Sequence, residues 1–233
     1  MSVITVYHGS ENIIQTPLFH AGNPKNDYGY GFYCTENIEL AKEWACSEEK
    51  GGFANEYTLN MKGLSVLNLS ESKYTILNWL AILLENRTFS ITSEIAQEAK
   101  AFLLEKFSVP YKDFDVIKGY RADDSYFSFA NAFINNTISL QKLNKAMYLG
   151  KLGEQIVLKS EKAFSQLKYI SSVPAEQNIY FHKKRNRDFS ARKAFLEMRS
   201  ETDIKSSEAL FVMDIIRGGM QNGDPRIPAV LFE

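Results

Sequence analysis

Residues 11–31 constrain the fold more than any other stretch of the chain. Pro17, Gly22, Pro24, Gly29 and Gly31, set among Asn12, Asn23 and Asn26, interrupt any continuous helix or strand and predict an irregular loop. Loops longer than about 12–15 residues are uncommon in compact domains, and ordered ones of that length are usually functional. Two short strands bracket this loop. Ser2 to Tyr7 alternates and is rich in β-branched residues, and Gly31 to Thr35 reads as the second. A helix over Glu36 to Ser47 follows, with Thr35 placed to cap it and Glu36 and Glu39 in its first turn. Ile38, Ala41, Trp44 and Ala45 fall on one face at helical spacing, which predicts Trp44 in the core.

The remaining elements are mixed. Glu56 to Met61 and Leu64 to Leu69, split by Lys62-Gly63, read as a hairpin. Residues 73–86 and 93–106 read as amphipathic helices, Asp115 to Gly119 as a strand, and 126–134 and 139–149 as helices. Gln155 to Lys159 and Leu167 to Val173 read as two further strands. Without strict βα alternation this pattern predicts an α+β fold rather than a doubly wound parallel sheet. After Pro174 the character changes: a basic run, His182 to Arg187, precedes helical stretches at 189–200 and 206–221. The division expected is therefore a main domain over 1–174 and a helical extension over 175–233 packed on it.

Composition removes several classes of function. Lys+Arg 27 against Asp+Glu 28 gives a net charge of -1, so no global field selects a nucleic acid or a membrane. Two cysteines are too few for a disulfide framework. Three His without Cys-x-x-Cys or His-Glu-x-x-His spacing predict no zinc site. The start of the chain lacks the basic and long apolar regions of a signal peptide, and no apolar run is long enough to span a bilayer. The expected compartment is the cytoplasm.

Three places can carry chemistry. His8-Gly9-Ser10 closes the first strand: an imidazole can hydrogen-bond a ribose, and a glycine lets a ligand approach the backbone. Gly29-Tyr30-Gly31-Phe32-Tyr33-Cys34-Thr35 offers small residues for close approach and a Tyr33 ring face for stacking a heteroaromatic cation. Gly153-Glu154-Gln155 sets an acid and an amide at the mouth of a buried strand. Each has an ordinary structural explanation as well: a strand end satisfied by backbone, an aromatic core strand, a solvated loop end. Cys34 has no basic neighbour in sequence that would make it a nucleophile.

Together the three resemble the diphtheria-toxin and poly(ADP-ribose) polymerase branch of the ADP-ribosyltransferases, known by a His-Tyr-Glu triad in such contexts. More narrowly, Tyr7 to Ser10, Asp27 to Thr35 with Ala41 to Ala45, Arg121 to Asp124, and Gln155 to Val157 with Ser160 to Ala163 resemble a bacterial family of uncharacterised, ADP-ribosyltransferase-like proteins. The resemblance spans residues 3–173 and, more loosely, the tail. It implies a split β-sandwich holding NAD as substrate, with no metal. His8 would bind the adenosine ribose, Gly9 and Ser10 the carboxamide, and Tyr33 would stack on nicotinamide. Residues 11–30 would form a donor loop, with Tyr28 or Tyr30 closing the other face and Gly31 allowing close approach. Breaking the nicotinamide–ribose bond builds positive charge at the anomeric carbon, which an enzyme must favour.

The chain departs from the triad at its third position, where Gln155 stands in place of Glu. An amide can hold a ribose hydroxyl but is neither a general base nor a formal charge. Glu154, one residue earlier, points to the opposite face if the strand includes it, and serves only after a bulge. The alternatives are single ADP-ribose transfer supported by Gln155, a role for Glu154, or lost activity. Asp123 and Asp124 line an acceptor site or cap the next helix. By family analogy the activity is a mono-ADP-ribosyltransferase, an effector or the toxic half of a pair with a cognate antitoxin, acting on a macromolecular acceptor. Its rivals are a non-catalytic NAD or ADP-ribose binding module and, motivated by the basic run, an RNA-processing transferase. Nucleic acid is not the expected partner, because a charge run is more often a solvated surface.

Overall fold

The structure is a computed structural model and describes residues 3–89, 91–122, 124–149, 153–200 and 209–227. Among them are two sheets and eight α-helices, a mixed α+β fold. The first sheet has the order β1 (Val3–Ser10), β3 (Gly52–Asn60), β7 (Leu167–Ala175), all antiparallel. The second has the order β2 (Phe32–Cys34), β6 (Glu154–Leu158), β5 (Val116–Tyr120), β4 (Val66–Asn68). The chain divides into two compact units. Unit 1 takes Met1–Asn68, Pro110–Arg121 and Leu152–Arg187; unit 2 takes Leu69–Val109, Ala122–Lys151 and Asp188–Glu233.

Both sheets belong to unit 1 and share one core. Val6, Tyr57 and Leu59 of the first sheet meet Phe32, Cys34, Val116, Ile156 and Leu158 of the second. Pleat alternation then sends their sequence neighbours, Tyr33 and Gln155 among them, to the opposite face of the second sheet. Helix α1 (Ile38–Ala45) lies against β1, so close that a Cβ on Gly9 would come within 1.9 Å of the Ala41 carbonyl oxygen. Gly31 is constrained likewise: its Cβ would meet Val157 Cγ1 at 2.6 Å and the Leu158 carbonyl at 2.9 Å, so only glycine lets the chain pass β6 there.

Unit 2 is helical. α2 (Ile76–Asn86) is capped by Thr75 in a capping box with Asn78, whose fully buried amide donates to the Phe107 carbonyl and to Asn222, each at 2.9 Å. α3 (Glu94–Phe107), α4 (Asp124–Ile134), α5 (Leu140–Ala146) and α8 (Val212–Arg217) bury Leu103, Phe107, Phe129, Phe133, Val212 and Ile215. The short α6 (Glu161–Ser165) belongs to unit 1, and Ser160 caps it.

The fold differs from the sequence reading in four places. The segment at 64–69 does not form a hairpin with β3; β4 pairs in parallel with β5, and β3 instead lies between β1 and β7. Asn37, not Thr35, caps α1, its Oδ1 accepting from the amides of Glu39 and Leu40. The basic run lies inside one helix, α7 (Gln177–Ser200), which starts directly after β7. The compact units also part elsewhere than at residue 174: 175–187 count with the sheets and 188–227 with the helices.

Candidate functional site

The end of β1 and the Gly-x-Gly-Phe-Tyr strand are joined by one bond. His8 Nδ1 lies 2.7 Å from the Tyr33 carbonyl oxygen. A carbonyl only accepts, so Nδ1 carries the hydrogen and Nε2 is left as an acceptor. The imidazole stacks on Phe32, ring centroids 4.3 Å apart. Burial, which favours the neutral ring, holds it below its ordinary pKa; the hydrogen bond to the Tyr33 carbonyl works in the opposite direction. An isolated antiparallel bridge, Tyr7↔Thr35, joins the two strands close by. Tyr33 and Gln155 share one face of the second sheet, and the His8 ring lies on the other with Phe32.

Asn55, opposite His8 on β3, is fully buried and organises the root of the loop. Its Nδ2 donates to the His8 carbonyl (3.2 Å), Ser10 Oγ (3.0 Å) and the Asn12 carbonyl (3.2 Å). Its Oδ1 accepts from Ile14 N at 3.0 Å and Ser172 Oγ at 2.9 Å. Ser10 Oγ in turn donates to the Asn12 carbonyl at 2.6 Å, so its hydrogen serves the loop. Tyr57 adds a hydroxyl bond to the Ile14 carbonyl.

The far end of the loop is held as firmly. Tyr33 Oη donates to the Gly29 carbonyl (2.6 Å) and accepts from Tyr28 N (3.1 Å), while the ring is half-buried. Tyr28 is fully buried and its hydroxyl donates to the Tyr120 carbonyl at 2.8 Å. It is a core residue and presents no free face, a correction to its expected role as a lid over a ligand. Tyr30 is the exposed member of that pair, its ring 5.3 Å from His20, which stacks on Phe19. Lys159 donates to the carbonyls of both Tyr28 and Tyr30, and burial, with help from Lys112, pulls its pKa down to about 8.

At the start of β6, Gln155 is buried and its Nε2 donates to Asp27 Oδ2 and to the Tyr120 carbonyl, each at 3.0 Å. Glu154 is part of the same strand, in register with Tyr120, and no bulge turns it toward Gln155. Its carboxylate pairs instead with Lys118 at 3.0 Å, and Lys118 also reaches Glu36 at 3.5 Å. A catalytic role for Glu154 is therefore corrected: it faces the other way and is paired there. The acid beside Gln155 is Asp27, 5% exposed. Sequence inspection missed it because the two lie 128 positions apart.

Trp44 is half-buried rather than core. The Arg121 guanidinium lies 4.4 Å from its ring centroid, and its buried indole N–H has no hydrogen-bond partner among the described residues. The buried position on that helix goes to Glu43, which Arg187 of α7 grips at both carboxylate oxygens, at 2.7 and 2.9 Å. Lys183 reaches Glu39 at 3.1 Å and Lys184 the Cys46 carbonyl at 3.2 Å, so much of the basic run fastens α7 to α1 and its end. Burial pushes the Cys34 thiol far up, as befits an inert core residue. Asp124 opens α4, whereas Asp123 lies outside the described residues.

Among the described residues there is no group of three or more His, Cys, Asp or Glu that could hold a metal ion, and no helix is long and apolar enough to cross a membrane. A model of the family described as protein of unknown function (DUF3990) matches residues 4–169, and the chain belongs to that family. No curated protein and no solved structure matches it.

Proposed function

We propose that this member of the DUF3990 family is a NAD-dependent mono-ADP-ribosyltransferase on an ADP-ribosyltransferase-type split β-sandwich. The observation that carries the reading is the bond from His8 Nδ1 to the Tyr33 carbonyl. It ties the His-Gly-Ser strand end to the Gly-x-Gly-Phe-Tyr strand and fixes the tautomer of an imidazole that burial keeps neutral, leaving Nε2 to accept from a ribose hydroxyl. The Gly9 backbone and the Tyr33 ring would hold nicotinamide, and Gln155, on the same sheet face as Tyr33, would hold the nicotinamide ribose.

In the reaction the bond between the anomeric carbon and the nicotinamide nitrogen breaks. Its electron pair leaves with nicotinamide, neutralising the ring. The acceptor nucleophile bonds to the anomeric carbon and releases its proton to solvent. The residues named bind and orient; positive charge at the anomeric carbon is what the site must favour. The acceptor is a macromolecule, and the biological role we propose is an effector or the toxic partner of an antitoxin.

Nicotinamide release from NAD, with and without host-cell lysate, tests the reading. Tyr33→Ala should abolish release. Tyr33→Phe keeps the ring but loses the loop bonds, and should cost about tenfold, the worth of a typical pair of hydrogen bonds. A protein that releases no nicotinamide under any condition is not a transferase. The second reading, a module that holds NAD without cleaving it, is favoured by the amide at Gln155 and predicts a raised melting temperature with no product. The RNA-directed reading draws no support from a basic run whose Lys183, Lys184 and Arg187 bind α1 and its end.

A further inference from the structure

The third triad position carries an amide, yet its surroundings are those of an acid. Both partners of Gln155 Nε2, the Asp27 carboxylate and the Tyr120 carbonyl, can only accept hydrogen bonds. The orientation of the amide is therefore chemically determined: the nitrogen faces them, both its hydrogens are engaged, and Oε1 is the atom the side chain offers to a ligand. Gln155 thus presents an acceptor oxygen, as a glutamate would.

The missing charge sits one hydrogen bond behind it. Asp27 Oδ2 is 3.0 Å from Nε2, and the residue is almost completely buried. A carboxylate is not buried without strong reason, because desolvation disfavours its charge. Here the neighbouring chain leaves it little choice. Tyr28 is anchored by its hydroxyl to Tyr120, the Tyr33 hydroxyl bridges Tyr28 N and the Gly29 carbonyl, and Lys159 holds the Tyr28 and Tyr30 carbonyls.

We infer that Asp27 is a positioning residue that acts through Gln155: it fixes the amide with Oε1 outward and supplies, at one remove, the negative charge that a glutamate would carry at that position. This rests on the NAD-dependent reading of the site. In this role Asp27 acts as a carboxylate. It polarises the amide and favours positive charge on the bound ligand. Loop and strand together would do what one side chain does in the His-Tyr-Glu pattern.

The test uses the full chain and two probes that differ by one charge on the nicotinamide ring, NAD+ and NADH. Their dissociation constants are measured calorimetrically for wild type, Asp27→Asn, Gln155→Glu and the double variant. The kcat and KM of nicotinamide release are measured alongside. Wild type should favour NAD+, and Asp27→Asn should cut that preference about tenfold while leaving NADH binding nearly unchanged. Gln155→Glu alone sets two carboxylates against each other and should weaken both ligands. The double variant restores one acid and one amide in exchanged places, so it should recover the preference, and kcat where kcat was lost.

Equal loss of both ligands in Asp27→Asn, with no recovery in the double variant, means a merely structural contact and overturns the inference. Should Asp27→Asn fail to fold, the double variant still decides: a folded protein without the NAD+ preference also overturns it. Wild type that binds both probes equally removes the inference and leaves the transferase reading to stand on nicotinamide release. Wild type that binds neither removes both.

Discussion

Burial and charge conflict at Lys159. Its side chain is half-buried, and two backbone carbonyls of the loop accept from its ammonium. With a native pKa of about 8 against an ordinary 10.5, the folded protein binds fewer protons than the unfolded chain between those values. Stability therefore rises with pH across that window, and below about pH 8 the full cost of burying the charge is present. Lys159→Met should lose this alkaline gain. Melting temperatures of the two proteins between pH 7 and 10 should converge or cross as wild type climbs, and parallel curves would show that Lys159 keeps an unperturbed charge. Such residues were not legible in the sequence. His8, Tyr33 and Gln155 stood out because each lies on a strand within two residues of a glycine. Asn55, Asp27 and Lys159 take their meaning from partners 41 to 131 positions away, a separation at which no spacing pattern survives.

At the scale of elements, Gly9 decides how near α1 can come to the first sheet. A methyl there would lie 1.9 Å from the Ala41 carbonyl and 2.8 Å from the Ala45 amide nitrogen, both backbone atoms that cannot rotate aside. Gly9→Ala should therefore destabilise the protein by about 3 kcal/mol, the upper end for overpacking, read as a drop in denaturant midpoint without any ligand present. An unchanged midpoint would mean that α1 shifts freely. Lost NAD binding in this variant would say nothing about carboxamide recognition, since the helix moves first. Most elements were legible because their periodicity is local. The failures were matters of pairing: Val66–Asn68 is a strand on apolar pattern, but only the tertiary fold makes it a parallel neighbour of β5. The cap of α1 was misplaced by two residues because Thr35 and Asn37 are both good caps, and the bridge from Tyr7 to Thr35 keeps Thr35 extended.

For the whole molecule the question is what the C-terminal part contributes. The sequence suggested a helical extension over 175–233 packed on a main domain that ends at residue 174, but the chain contributes to both compact units after that point. Within unit 1, Arg187 neutralises Glu43, which is 3% exposed, while Tyr180 and Lys183 bind Lys42 and Glu39. Removing one partner of a buried ion pair typically costs about 3–5 kcal/mol. Within unit 2, Phe195 packs on Phe129, ring centroids 4.0 Å apart, and is 6% exposed. Losing a buried aromatic costs about 3–5 kcal/mol more. Together these losses rival the whole stability of a small domain, about 5–15 kcal/mol. A chain ending at Pro174 should therefore fail to fold cooperatively. Arg187→Ala in the full chain should remain folded with a lowered melting temperature, and Glu43→Gln combined with Arg187→Met should recover part of the loss, because no buried charge is then left unpaired. Circular dichroism melts of the three proteins decide the matter. A truncated chain that melts like wild type would make α7 an ornament of the fold, and would return the basic run to the surface role that composition alone assigned to it.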